Sequence, residues 1–184
     1  MKNTLVKYDL IERIKDGEYN NEELNDYLGW LIIKYITEAI DTIINYPSFL
    51  LDDEIITEKH LNKLVFFNDY KRFKFFVDKA FFKTYPNGHG YSSDSYGLMK
   101  NICWDNKVKF LNHIINRPEL DFSRNDGVIV HQTYKQKNYE ILSMLLCHRE
   151  EIKKDKKLYD KYSHILRSSK LTQLRKRIYT KKES

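Results

Sequence analysis

"NDGVIVHQTYKQKNYEILSMLL", residues 125–146, runs from a glycine turn through a short apolar segment, a polar break and a longer apolar segment. Both segments space their apolar residues three and four apart, which predicts a pair of helices folded about the break at 136–138. His131 lies just inside the first of them. Either it does chemistry, or it fastens one member of a helical stack. A general base needs a nucleophile or acid within hydrogen-bond reach, and nothing at a fixed spacing from His131 supplies one. Neutral imidazole donates from one nitrogen and accepts at the other, which suits a turn where the chain enters a helix. The structural role is therefore expected.

Working outward, the preceding stretch repeats the plan. With Ile114-Ile115 laid on Leu145-Leu146, a shift of 31 residues, Leu98 falls on Ile129, Met99 on Val130, Cys103 on Tyr134, Phe110 on Ile141 and Leu111 on Leu142. Asn106 in one break falls on Lys137 in the other. "PELDFSRNDG" (118–127) is a turn-rich connector between the pairs. Segments 57–67 and 70–82 form an earlier pair about Asn68-Asp69, with Phe75-Phe76 matched to Phe110-Leu111. Short helix, tight turn, longer helix and polar connector at a period in the low thirties indicate stacked helix pairs. Before them, 3–16 reads as an amphipathic helix. Residues 22–46 read as one long helix, capped by Asn20 or Asn21 and ended by Pro47, with an apolar stripe widened by Trp30 and therefore covered on more than one side. "KTYPNGHGYSSDSYG" (83–97) is the main loop, and the end of the chain gives a final helix or two and a basic tail.

On these residues, about 60–150, the chain resembles ankyrin repeats. His131 and Val130 stand where the family's Thr-Pro-Leu-His signature has His and Leu, and Glu140-Ile141-Leu142 with Leu145-Leu146 match its second helix. The departures are that Thr133-Tyr134 and Ile102-Cys103 replace Ala-Ala, Lys137 and Asn106 replace the inter-helix Gly, and the Thr-Pro pair is absent. The expected architecture is all-α: an N-terminal helical cap over 1–57, then ankyrin-like helix pairs over 58–184, forming one continuous domain. The resemblance implies a non-enzymatic protein-interaction module that binds through its loops and the inner face of its short helices. Carried over, this points to His89 and Tyr91 in the large loop, Arg124 and Asn125 in the next, and Lys100 and Gln132 on the inner helices.

Composition sets the surroundings. Fourteen Tyr and ten Phe against two Ala (Ala39, Ala80) predict a core of large rings and widely spaced helices. Richness in Lys, Asn, Ile and Tyr points to an AT-rich genome such as many phages and large DNA viruses carry. That sets the expectation of a viral protein that binds and inhibits a host factor in the cytoplasm. Net charge is +6, but residues 1–60 hold 13 acidic against 6 basic side chains and residues 61–184 hold 13 against 26. Such a split favours two surfaces of opposite sign. Cys103 and Cys147 read as small buried hydrophobes in a reducing compartment. With no CxxC or Cys/His cluster, no metal or cofactor is expected. The N-terminus lacks the pattern of a signal peptide, and the longest apolar run, "GWLIIKYI", is too short to span a bilayer.

The rival reading is a nucleic-acid-binding protein, in which Lys71, Arg72, Lys74, Arg175, Lys176 and Arg177 neutralise phosphates while neighbouring Phe and Tyr stack on bases. A hydrolase built on His89 and Asp94 lacks the phosphate-cradling glycines or the nucleophile elbow that such chemistry uses.

Overall fold

The computed structural model describes residues 2–52, 54–81, 93–117 and 120–167; of residues 2–8, 93–96 and Arg124 it describes the backbone alone. Eleven α-helices are present and no strand occurs among the described residues: α1 (Lys2–Lys15), α2 (Asn21–Lys34), α3 (Thr37–Ile44), α4 (Glu58–Phe66), α5 (Tyr70–Phe76), α6 (Ser93–Trp104), α7 (Val108–Ile114), α8 (Arg124–Lys135), α9 (Tyr139–His148), α10 (Glu150–Lys154) and α11 (Lys156–Tyr162). A π-helical turn, Val77–Phe81, continues α5, and a 3-10 turn, Ser163–Arg167, follows α11. The chain divides into two compact units, Met1–Pro86 and Asn87–Ser184.

One turn recurs in both units. Tyr35, Asn68, Asn106 and Lys137 each have positive φ, between 52° and 61°, at the break between two helices. After each, the next residue's N–H reaches back five positions: Ile36 to Leu31, Asp69 to Leu64, Lys107 to Ile102 and Asn138 to Thr133. The left-handed residue thus closes the first helix as a C-terminal cap, and the chain restarts at once as the second helix. Asparagine tolerates this conformation; Tyr35 and Lys137 adopt it against their intrinsic preference.

Counted from the turn, the core is in register. Leu31, Leu64, Ile102 and Thr133 stand four residues before it; Ile40, Phe73, Leu111 and Leu142 five after; Ile43, Phe76, Ile114 and Leu145 eight after. All are fully buried. Each such apolar side chain contributes about 1.5–3 kcal/mol by leaving water. Thr133 satisfies its hydroxyl on the Ile129 carbonyl at 2.7 Å, so a polar residue fits this otherwise apolar position. In the N-terminal unit α2 packs on α3 and α4, α4 on α5, and α1 on α3. In the C-terminal unit α6 packs on α7 and α8, α8 on α9, and α7 on α9, so first helices meet first helices and second meet second.

The structure changes four expectations. The helix expected over 22–46 is broken at Tyr35–Ile36 by the shared turn, so the N-terminal region contains a helix pair of its own. The turn register matches Phe73, and not Phe76, to Leu111, because the Asn68 break lies three residues earlier relative to those phenylalanines than the apolar pattern suggested. Residues 93–97, expected in the large loop, belong to α6. Trp30, expected to be covered, is 46% exposed. The connector expectation at 118–127 fits the described part: Asn125, Asp126 and Gly127 have consecutive positive φ, so right-handed helix starts only after Gly127. At Gly127, φ 70° strains any other residue, and a Cβ there would come within 2.6 Å of the Leu158 side chain and displace it.

Candidate functional site

The N-terminal unit carries a group of rings left in solvent. On α2, Leu24, Leu28 and Leu31 face the core, so Tyr27 and Trp30 emerge on the other side. On α4, Leu61, Leu64 and Val65 are inward, which drives Phe66 (71% exposed) and the following Phe67 outward. Trp30 and Lys63 both stand five residues before the shared turn, on helices that pack together. Tyr35 stacks on Phe67 with centroids 3.8 Å apart and planes 10° apart, Phe66 meets Phe67 edge-on at 5.1 Å, and the Lys63 ammonium lies 5.0 Å from the Phe67 centroid. The Tyr35 hydroxyl reaches the Asp69 carboxylate at 3.4 Å; burial and that carboxylate push the phenol pKa up. These contacts hold Tyr35, Phe66 and Phe67 in place, and rings ordered in advance lose little entropy when covered.

Beside α3 and α5 the same unit has two clefts. One, about 760 Å³, lies between α1 and α3 against Ile11, Lys15, Glu38, Thr42 and Tyr46. The other, about 330 Å³, is walled by Ile44, Phe75 and the stems of Lys71, Lys74 and Lys79, with Arg72 and Asp78 beside them. Arg72 is committed to the scaffold: its guanidinium bonds both Asp41 oxygens at 3.0 and 2.6 Å and Asp69 at 2.5 Å, and so ties α3 to α5. Of the trio singled out for nucleic acid, Lys71 and Lys74 are the exposed members. Arg175, Lys176 and Arg177 lie outside the described residues.

In the C-terminal unit, Lys100 on α6 and Gln132 on α8 stand half-buried on first helices that pack together. The Lys100 ammonium is 4.9 Å from the Trp104 ring. Asn125 is exposed in the left-handed turn within the first residues of α8, and Arg124 adjoins it. His89 and Tyr91 lie outside the described residues, as does the rest of 82–92. His131 is fastened: its Nδ1 is 2.5 Å from the Tyr162 hydroxyl on α11. Burial, then the cations Lys161 and Lys135, push its pKa down, against a hydrogen bond to the Asp126 carbonyl. Asn138 in the shared turn donates to the Cys103 and Trp104 carbonyls at 3.0 and 2.8 Å, joining successive turns. Among the described residues no group of three His, Cys, Asp or Glu is placed to hold a metal ion, and no helix is long and apolar enough to cross a membrane. Cys103 is buried and Cys147 half-buried.

The exposed rings were missed because helical spacing and aromatic character together read as core. The signal lay in phase: Phe66 and Phe67 fall off the Leu61–Leu64–Val65 stripe. Comparison with known proteins gives no match to a family model, to a curated protein or to a solved structure.

Proposed function

We propose that this chain is a non-enzymatic protein-interaction module built from ankyrin-like helix pairs, with the Trp30–Phe66–Phe67 group as its recognition face. The observation that carries the reading is the exposure of these rings on packed first helices. Large aromatics left in water cost solubility unless another surface covers them, and aromatic anchors dominate protein interfaces. The ankyrin-like character draws support from the shared turn, which puts a left-handed residue where that family has glycine, and from the 31 residues between Asn106 and Lys137. It also draws support from Thr57 and His60, spaced as in the family signature. There the Thr57 N–H donates to His60 Nδ1 at 3.1 Å as the chain enters α4. A viral protein that covers a host factor with this face is the setting that composition suggests.

The test is affinity capture on the full chain, with Trp30→Ala/Phe66→Ala as the paired variant. A protein partner near one-to-one stoichiometry, retained at about 0.3 M salt and lost in the variant at unchanged thermal midpoint, is the expected result; exposed contacts of this kind depend little on ionic strength. Recovery of nucleic acid alone, released steeply by salt, would replace the reading with the rival one.

A further inference from the structure

We propose that the cleft between α3 and α5 docks an acidic amphipathic peptide segment, an apolar anchor side chain flanked by carboxylates, as a second contact of the same module. The inference rests on the protein-interaction reading and adds a site and a ligand chemistry to it.

The walls are apolar, and the rim carries three lysines against one carboxylate, Asp78. Ile44 from α3 and Phe75 from α5 line a space of about 330 Å³, and Lys71, Lys74 and Lys79 reach its edge. Lysines lay their methylene stems along apolar surface and keep the ammonium in water, so the cleft offers carbon inside and charge at the mouth. A space of this volume is enough for one or two large side chains and too small for a folded surface. The wall is also fixed. Arg72 is locked by Asp41 and Asp69, and the π-helical turn sets Lys79 beneath Phe75, its ammonium 5.1 Å from the ring centroid. Widened turns of this kind recur at functional sites.

Nucleic acid fits the cleft less well. A base stacking on Phe75 competes with Lys79, whose ammonium already lies 5.1 Å from the ring centroid. A phosphate chain has no apolar group for Ile44. Moreover, the unit Met1–Pro86 carries 15 acidic against 12 basic side chains, a field that repels a long polyanion. A short anchor with few carboxylates samples only the local lysines, within about a Debye length of 8–10 Å.

Fluorescence anisotropy on the full chain decides the matter, using three labelled probes: a peptide in which Leu and Phe are interspersed with Asp and Glu, the same peptide with Lys in place of each acid, and an oligothymidylate. The acidic peptide should bind best. It should weaken at least about tenfold with Lys71→Glu/Lys74→Glu, a change made at exposed positions, because two attractive rim charges become repulsive. Lys154→Glu/Lys156→Glu carries the same change in net charge elsewhere and should leave affinity within about twofold. Stronger binding of the basic peptide or the oligothymidylate, no binding of the acidic peptide, or equal losses in both charge-reversed variants would overturn the proposal. If the proposal fails while Trp30→Ala/Phe66→Ala still abolishes capture of a protein partner, only the cleft is wrong; if capture also fails, the interaction reading falls separately.

Discussion

The two units fold about the same turn and spend their rings and arginines in opposite ways. In Met1–Pro86, Arg72 is paired with Asp41 on α3 and with Asp69 at the start of its own helix, and Trp30, Phe66 and Phe67 are left outside. In Asn87–Ser184, Arg149 is buried among backbone carbonyls. It donates to Ile115 at 2.7 Å, to Arg117 at 2.8 Å and to Leu120, pairs with Glu151 at 2.7 Å, and lies 5.2 Å from the Phe122 ring centroid. The rings of this unit meet one another: Tyr134 lies 4.9 Å from Tyr162, which holds His131. One scaffold thus supports two allocations. The second unit uses Arg149 and its tyrosines to close connectors and ends; the first pairs Arg72 with carboxylates and leaves aromatic surface exposed. That contrast is why the recognition face is proposed for the N-terminal unit.

The comparison can be broken most directly at its arginines. Arg149→Met keeps the aliphatic volume but strands buried carbonyls and the Glu151 carboxylate, and should cost about 3–5 kcal/mol. Arg72→Met leaves Asp69 partly compensated, since that carboxylate still accepts the Arg72-position backbone N–H at the start of α5. Its loss should be smaller, about 2–3 kcal/mol. Urea unfolding of both variants orders them. Equal losses would mean that carboxylate pairing and carbonyl capture anchor the two units alike.

A smaller effect separates the units by pH. The His131 pKa is held below the usual histidine value, so the folded state favours the neutral ring. The stabilisation is then fully present above the unfolded-state pKa, about 6.5, and is lost as pH falls from there through the folded value, because the unfolded chain takes up the proton first. Thermal midpoints measured from about pH 7.5 down to pH 5 should fall, and His131→Gln should flatten part of that fall. His60 in the N-terminal unit, whose pKa burial and then Lys59 also lower, contributes in the same direction. An unchanged slope in His131→Gln would mean that the Tyr162 contact does not depend on the neutral ring.

Much of this was legible in the chain, and the limits follow physical lines. The Leu, Ile and Phe stripes carried the helices, and the shift of 31 carried the register of the last two pairs, because buried positions repeat their chemistry. The turn at Tyr35 was hidden, since a tyrosine between Lys34 and Ile36 continues helical periodicity and gives no glycine or proline signal. Arg149 was hidden for the same kind of reason: apart from Glu151, its hydrogen-bond partners are backbone carbonyls, which leave no mark in sequence. The exposed rings depended on helix phase, and phase moves with each break that goes unseen.

The smallest prediction sharpens the turn itself. Lys137 pays for a left-handed backbone at φ 61°, and its side chain is exposed, so Lys137→Gly removes that steric cost without removing a packed group. Part of the gain is returned through the larger entropy of glycine in the unfolded chain. The net should be a stabilisation of about 0.5 kcal/mol, or roughly 1–2 °C in thermal midpoint for a chain of this size. Asn106→Gly should give less, because asparagine already tolerates the conformation. The ordering is what the shared turn demands: if glycine helped equally at both positions, or destabilised position 137, the backbone there would not be under the strain that its left-handed φ implies.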